Sequence, residues 1–494
     1  VKENSFVSAD DIRSAFSAAM SRMYREEVPA YGTLMELVAR VNGETLSADS
    51  AWKERLEATD SLDRISEERH GAIRLGTPAE LSMMRRVFAV MGMYPVGYYD
   101  LSTAGVPVHS TAFRPVGDAA LKRNPFRVFT SLLRLDLIAD EALRAEAEAI
   151  LKARRIFTPG AMELTGQAER EGGLDKAGAE RFVAEVIETF RWHDRANVSA
   201  DMYQRLHDAH RLIADVVSFK GPHINHLTPR TLDIDQVQAL MPEYGIAPKA
   251  VVEGPPTRKC PILLRQTSLP KAVVEGPPTR KCPILLRQTS FKALEEPVSF
   301  RGADGGWKAG SHTARFGEIE QRGIALTPKG RGLYDRLLDE SRKIVRPAAD
   351  GSNAGEYGAA LAQVFEAFPD HWAEIRAAGL GYFSYSLTEK GRQAKMSVCL
   401  AERGRRDLDS LIADGLVQFD PIVYEDFLPV SAAGIFQSNL GDGAQQDFVA
   451  SPNQKRFETD LGVAVLNEFD HYAGIEQASI EDCLQALTAA VAAE

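Results

Sequence analysis

A chain of 494 residues with 58 basic and 69 acidic side chains carries a formal net charge of -11, and 44% of its residues are hydrophobic. This is an ordinary globular composition, long enough for about three domains, or fewer if one large sheet dominates, with core to spare for a shielded site. The acidic balance and the lack of long basic runs exclude binding of nucleic acid by phosphate neutralisation, and no run of about 18 uncharged apolar residues marks a membrane span. An anionic small substrate remains open, because a few buried arginines can dominate locally.

The opening VKENSFVSADDIRSAF has no secretory apolar segment, and Cys260, Cys282, Cys399 and Cys483 have neither CxxC spacing nor disulfide density. The expectation is a cytoplasmic protein with no nucleic-acid or membrane partner. Ser8, with Asp11 after it, caps a helix whose apolar face is Ile12, Phe16, Met20 and Met23, and a second helix is expected over 33–60. HGAIR at 70–74 then reads as extended, with His70, Ala72 and Arg74 on one face. Thr77, Pro78 and Glu80 form a capping box before LSMMRRVFAVM. YPVGYYDLS and PVHSTAFRPV read as a hairpin. From about 125 to 211 the period is helical, with starts at Thr158 and Ser199 and a break at Gly172-Gly173. Sheet character is expected again in LIADVVSF, in 250–300 and in TARFGEIEQRG, before Thr327-Pro328 opens a helix to about 343. A Gly, Ala and Ser-rich boundary around 347–361 precedes a mixed tail ending in a helix at 480–492.

PKAVVEGPPTRKCPILLRQTS occurs at 248–268 and again, without a change, at 270–290. Structural arrays need three or more repeats, and natural repeats drift, so two identical copies read as a recent tandem duplication or a sequencing feature. One copy of ILLRQTS is expected to form a strand while the other loops out.

Three segments carry candidate metal ligands. His70 shares an extended face with Arg74, a neutral ligand beside a carboxylate receptor, although a solvent-exposed strand pair reads equally well. His223 and His226 lie in GPHINHLTPRTLDID between backbone-restricting prolines, a pattern that also suits local capping or packing. In ARFGEIEQRG an extended chain puts Phe316, Glu318 and Glu320 on one face, and two alternating acids on an edge strand are usually only solvated.

A family resemblance separates these alternatives. Phe316, Glu318, Ile319, Gln321, Arg322 and Gly323 resemble the last metal-binding strand of the 4-hydroxyphenylpyruvate dioxygenase group in the vicinal oxygen chelate superfamily. HGAIRLGT, VGYYDLSTAGVPVHSTAFRP, FKGPHINHLTPRTLDID and HTARFGEIEQRG together resemble the 2-oxoadipate dioxygenase/decarboxylase family over nearly the whole chain. The resemblance implies His70, His226 and Glu318 as a facial triad for Fe(II), leaving adjacent positions open for a 2-oxo acid and dioxygen. It implies Arg74 as the grip on the substrate's distal carboxylate and Ser431, in VSAAG, as a weaker candidate for hydrogen bonding. His109, His223 and His312 are left as structural or supporting groups.

The implied fold is α+β: a barrel-like sheet of paired βαβββ modules with a large helical insertion and a C-terminal extension. Its expected domains are a helical 1–60, a metal-binding core over 61–345 with the insertion at about 125–211, and a mixed 346–494 that closes the site. The implied reaction converts 2-oxoadipate and O2 to D-2-hydroxyglutarate and CO2 in lysine breakdown, with no nicotinamide, flavin or second oxo acid, and the chain has no GxGxxG or P-loop pattern. The competing readings are a Zn- or Mn-dependent isomerase, lyase or hydrolase on the same scaffold, and a non-catalytic 2-oxo acid binding protein. Oligomeric state is not legible.

Overall fold

A computed structural model describes residues 6–48, 69–248, 282–348, 352–393, 408–428 and 452–489, apart from Lys292 and Ala303, with a few single positions between 50 and 65. The chain divides into two compact units. The first combines Val1–Glu253, Gln288–Gln321 and Asp426–Leu466, and the second combines Gly254–Arg287, Arg322–Glu425 and Asn467–Glu494.

The first unit opens with the helix Ala9–Glu27, capped by Ser8 and burying Ile12, Phe16, Met20 and Met23 as the apolar spacing predicts. A second helix, Pro29–Ala48, starts earlier than expected. Strand β1 (Arg69–Leu75) leads through the capping box of Thr77 and Glu80 into the helix Pro78–Val90. The expected hairpin follows as β2 (Tyr94–Asp100) and β3 (Val108–Arg114). Residues 127–133, assigned a helical period above, instead form β4 (Arg127–Leu133). All seven of its residues are buried, and the polar ones, Arg127, Thr130 and Ser131, do not alternate, so no period of two shows. Strand β4 lies antiparallel to β3 and parallel to β1, closing one βαβββ module.

The helices Glu141–Ala153, Pro159–Glu171, Lys176–Ile187 and Ala200–Ala209 follow, with caps at Thr158 and Ser199 where they were expected. Gly172 ends its helix at φ +83°, a backbone state that costs glycine least. A short strand β5 (Arg195–Ser199) interrupts the helices. LIADVVSF, expected as sheet, is mostly the helix Arg211–Ser218. Its residues from Leu212 to Ser218 are all buried, but Arg211, Asp215 and Ser218 recur at helical spacing, a polar stripe that the apolar, β-branched run LIADVV masks when it is read as a strand. The His210 side chain caps it by accepting from the Leu212 amide at 3.0 Å.

The second half of the unit's sheet structure begins with β6 (Leu227–Pro229), antiparallel to β1, and the helix Ile234–Leu240. A long hairpin then runs through β7 (Leu286–Ser290) and β8 (Glu295–Arg301) and returns through β9 (Trp307–Thr313) and β10 (Glu318–Arg322). Strand β7 is the LRQTS of the second repeat copy. That copy directly precedes β8, so using it avoids closing an extra loop inside the hairpin. The first copy's ILLRQTS lies outside the described residues.

Arg114 of β3 grips Asp426 through Nε at 2.6 Å and Nη2 at 2.9 Å, both side chains being buried. Arg114→Met is therefore expected to cost about 3–5 kcal/mol in chemical denaturation, because Asp426 loses its guanidinium in a dry setting, and pairing it with Asp426→Leu should recover much of the loss.

The second unit carries the expected helix from Thr327, Pro328–Ile344, and the helix Ala354–Val364. Strands β11 (Phe383–Leu387) and β12 (Val417–Pro421) pair antiparallel. The last helix, Glu468–Ala489, begins well before the predicted 480. Its Glu476 and Ser479 accept from the Phe383 and Tyr385 amides of β11 at 2.8 and 3.0 Å. No helix among the described residues is long and apolar enough to cross a membrane.

Candidate metal centre

Strand pairing brings the site together. His70 of β1 stands opposite Thr228 of β6, and just beyond β6 Arg230 bridges to Glu320 of β10, so the β6 segment runs between the other two strands. The Thr231 amide donates to the Glu320 carbonyl at 2.7 Å. Gly71 permits the close approach: a Cβ there would meet Ile224 Cδ1 at 2.5 Å and the His226 carbonyl oxygen at 3.1 Å. The Tyr24 hydroxyl of the first helix lies 2.7 Å from the Phe316 carbonyl and 3.0 Å from that of Asn225, tying together the two segments that carry Glu318 and His226.

His70, His226 and Glu318 each offer a ligand atom within 4.8 Å of the others, and all three are buried. Glu318 Oε2 lies 3.1 Å from His70 Nε2 and 3.6 Å from His226 Nε2, and accepts from the Thr228 hydroxyl at 2.9 Å. Phe427 meets the His70 ring edge to face and Phe316 stacks on His226, so aromatic walls flank the trio. The two acids read as solvated edge-strand residues in the plainest interpretation are both buried, and both face His70: Glu320 Oε2 lies 3.0 Å from its Nδ1.

Burial drives the His226 pKa down to about 3, so the ring is a neutral lone-pair donor. Burial also opposes charge on Glu318, but His226, His70 and Thr228 hold its carboxyl below the ordinary range. At His70 burial again opposes charge, yet Glu320 and Glu318 outweigh it and raise the pKa. The two carboxylates, one at each ring nitrogen, thus favour positive charge at the His70 ring. Neither ring nitrogen of buried His226 has a hydrogen-bond partner among the described residues. Two imidazoles and one carboxylate, with an otherwise unsatisfied buried nitrogen, fit a divalent cation, and the donor set suits non-haem iron with open positions. Glu320 behind His70 is the outer carboxylate that typically orients a ligating histidine.

Arg74 shares the β1 face with His70, as the alternation predicts, and is nearly buried. Its Nη1 donates to Asp215 Oδ2 at 2.6 Å and to Asn225 Oδ1 at 2.8 Å. His223 and His312 sit on Asp215 and are not in the three-residue ligand group. Ser431 lies outside the described residues, as do Cys260 and Cys399. Glu320, Asp215 and Asn225 were missed from sequence: alternation with Glu318 hinted at the first, whereas Asp215 sat in a run misread as sheet.

His109 of β3 is a separate buried histidine, packed on Phe457 at 4.7 Å between ring centres. Burial, with help from Arg134, lowers its pKa from 6.5 to about 4. An unfolded chain takes up this proton at higher pH than the native one, so native stability is lost as pH falls from 6.5 towards 4. The slope from this ring should reach about 1.4 kcal/mol per pH unit, and His109→Asn should remove that share in urea titrations across the window.

The paired βαβββ-type sheets around a buried two-histidine, one-glutamate centre define a metalloprotein of the vicinal oxygen chelate superfamily. The model of the 2-oxoadipate dioxygenase/decarboxylase family matches residues 16–271 and 269–439, the two stretches overlapping at 269–271 where the second repeat copy begins. The chain is 56% identical over 485 residues to the 2-oxoadipate dioxygenase/decarboxylase of Pseudomonas putida, covering 98% of each. It is 52% identical over 477 residues to that of Escherichia coli, covering 97% of this chain and 98% of the relative. The crystal structure of the Pseudomonas putida hydroxyglutarate synthase in complex with 2-oxoadipate matches 98% of this chain and 100% of that one, with a TM-score of 0.86 and 55% identity. The chain belongs to the 2-oxoadipate dioxygenase/decarboxylase family.

Proposed function

We propose that this protein is an Fe(II)-dependent dioxygenase that converts 2-oxoadipate and O2 to D-2-hydroxyglutarate and CO2, and that it acts in the cytoplasm. The observation that carries the reading is the buried His70, His226 and Glu318 trio with Arg74 on the same strand face as His70. The substrate named for the Pseudomonas putida complex supports the choice of acid. Cys282 and Cys483, buried as thiols, suit a reducing compartment.

In this reading His70, His226 and Glu318 hold the iron. Fe(II) bound there supplies adjacent positions for a 2-oxo carboxylate and for dioxygen, together with the electron that begins dioxygen's reduction. The protein's own part is binding, orientation and exclusion of water. Glu320 lies 3.0 Å from the far nitrogen of the His70 ring, which would leave Nε2 available as the metal ligand. Arg74 receives the distal carboxylate through a planar fork that a lysine would not reproduce. Phe316 and Phe427 keep the reacting end dry. Ser431 is assigned a hydrogen bond to the bound acid. The stoichiometry closes without another reductant: the six-carbon oxo diacid and dioxygen become a five-carbon hydroxy diacid and carbon dioxide, one oxygen atom entering the new carboxylate and the other the hydroxyl.

The test is anaerobic reconstitution with Fe(II), addition of 2-oxoadipate and then labelled dioxygen, with mass spectrometry of the products. Label in the new carboxylate of hydroxyglutarate is expected. Oxygen-independent turnover, or none with Fe(II) while Zn(II) or Mn(II) supports it, would replace the dioxygenase with a Lewis-acid enzyme.

A further inference from the structure

Asp215 is a buried carboxylate that the metal chemistry does not use, yet it lies at the centre of a line of polar contacts. Its Oδ2 accepts from Arg74 Nη1 at 2.6 Å, while Oδ1 lies 2.9 Å from His312 Nε2 and 3.4 Å from His223 Nε2. Beyond it, His312 Nδ1 lies 2.7 Å from the hydroxyl of half-buried Tyr203. The His312 ring is parallel to Trp192 within 4° and packs on Phe219 at 4.7 Å, which fixes its plane.

The proton positions follow from these contacts. Burial and the Asp215 charge push the Tyr203 pKa up to about 12, so its hydroxyl stays protonated and is placed to donate to His312 Nδ1, while the ionised Asp215 can only accept. Nε2 then carries the hydrogen that points at Asp215. Burial alone would raise the Asp215 pKa, but Arg74, His223 and His312 overcome it, and the carboxyl stays ionised. The acid has one donor fixed behind it and one arginine in front, and Asn225 Oδ1 takes the same Nη1 at 2.8 Å.

We propose that Asp215, clamped by His312 and Tyr203, is a positioning residue that presents Arg74 to the distal carboxylate of a 2-oxo diacid and thereby sets the preference for a diacid over a monoacid. The proposal rests on the role given to Arg74 above. Arginine has a long side chain with several rotamers, and an arginine ordered before the ligand arrives does not charge that ordering to binding. The arrangement also gives up raw attraction, since the Asp215 charge offsets that of Arg74. Direction and net charge therefore make opposite forecasts for removal of the carboxylate charge. Asp215→Asn leaves Arg74 more strongly cationic but less well held: a site governed by charge would bind a diacid tighter, and one governed by orientation would bind it more weakly.

The experiment is anaerobic equilibrium titration of the Fe(II)-loaded protein with 2-oxoadipate and with 2-oxohexanoate, a monoacid of the same length, in wild type, Asp215→Asn, Tyr203→Phe and Arg74→Ala. Asp215→Asn is expected to weaken 2-oxoadipate by about 10- to 100-fold, the scale on which losing an outer partner weakens a metal ligand, applied to the arginine that Asp215 holds, and to leave 2-oxohexanoate unchanged. Tyr203→Phe removes only the outermost hydroxyl and should give a smaller loss in the same sense. If Asp215→Asn does not fold or load iron, Tyr203→Phe decides: a diacid-selective loss supports the proposal, and its absence overturns it. Tighter or unchanged diacid binding by Asp215→Asn, or equal weakening of both acids, beside a selective loss in Arg74→Ala, overturns the positioning role while leaving Arg74 as the receptor. No selective loss in Arg74→Ala itself removes the receptor assignment, and the proposal with it.

Discussion

Glu318→Ala is expected to lose stoichiometric iron and turnover together. Glu318 is the member of the trio that brings a negative charge, and its Oε2 lies within 3.6 Å of both ligand-bearing rings. Changing an outer partner of a metal ligand typically costs 10- to 100-fold in metal affinity, so loss of the ligand itself should exceed about 100-fold. Glu318→Gln separates charge from shape, because the amide can still meet Thr228 but brings no negative charge to the cation. The check is metal analysis after dialysis against a weak chelator, alongside circular dichroism of the metal-free proteins. A Glu318→Ala variant that keeps one iron per chain removes Glu318 from the ligand set. If Glu320→Ala instead loses the iron, Glu320 is the ligand and Glu318 the outer acid.

For Arg74→Ala the damage should appear with substrate and not with iron, because a protonated guanidinium is no ligand. Losing a charge-assisted contact in a shielded site should weaken 2-oxoadipate binding by about 2–5 kcal/mol, the upper part reflecting a carboxylate left without its partner. The variant also leaves Asp215 without the guanidinium that helps keep it ionised, so a stability measurement belongs beside the binding curve. Arg74→Lys keeps the charge but not the planar fork, and only partial recovery is expected. Retained iron with a selective loss of the diacid supports the assignment. Equal weakening towards a 2-oxo monoacid would remove it.

Local signals in the sequence determined several helix starts, because a cap acts within three residues of itself: Ser8, Thr77, Thr158, Ser199 and Thr327 all open helices where they were expected to. Strand alternation likewise put His70 with Arg74, and Glu318 with Glu320, on common faces. The family motifs singled out His70, His226 and Glu318 before any geometry was known. Periodicity failed in two mostly buried segments. In Arg127–Leu133 the polar residues Arg127, Thr130 and Ser131 do not alternate, so no period of two shows; in Arg211–Ser218 the helical spacing of Arg211, Asp215 and Ser218 is outweighed by the β-branched, apolar run around it, and both segments read as the wrong element. The meeting of the three candidate ligands across 248 residues of sequence, from His70 to Glu318, was a matter for tertiary structure. So was the joining of Asp215 to Arg74 across 141 residues. Such contacts depend on which strands pair and on where a glycine such as Gly71 lets two backbones close up, and neither is encoded in the few residues around each side chain. Tertiary structure also decided which of two identical repeat copies became β7, since only the position next to β8 distinguishes them.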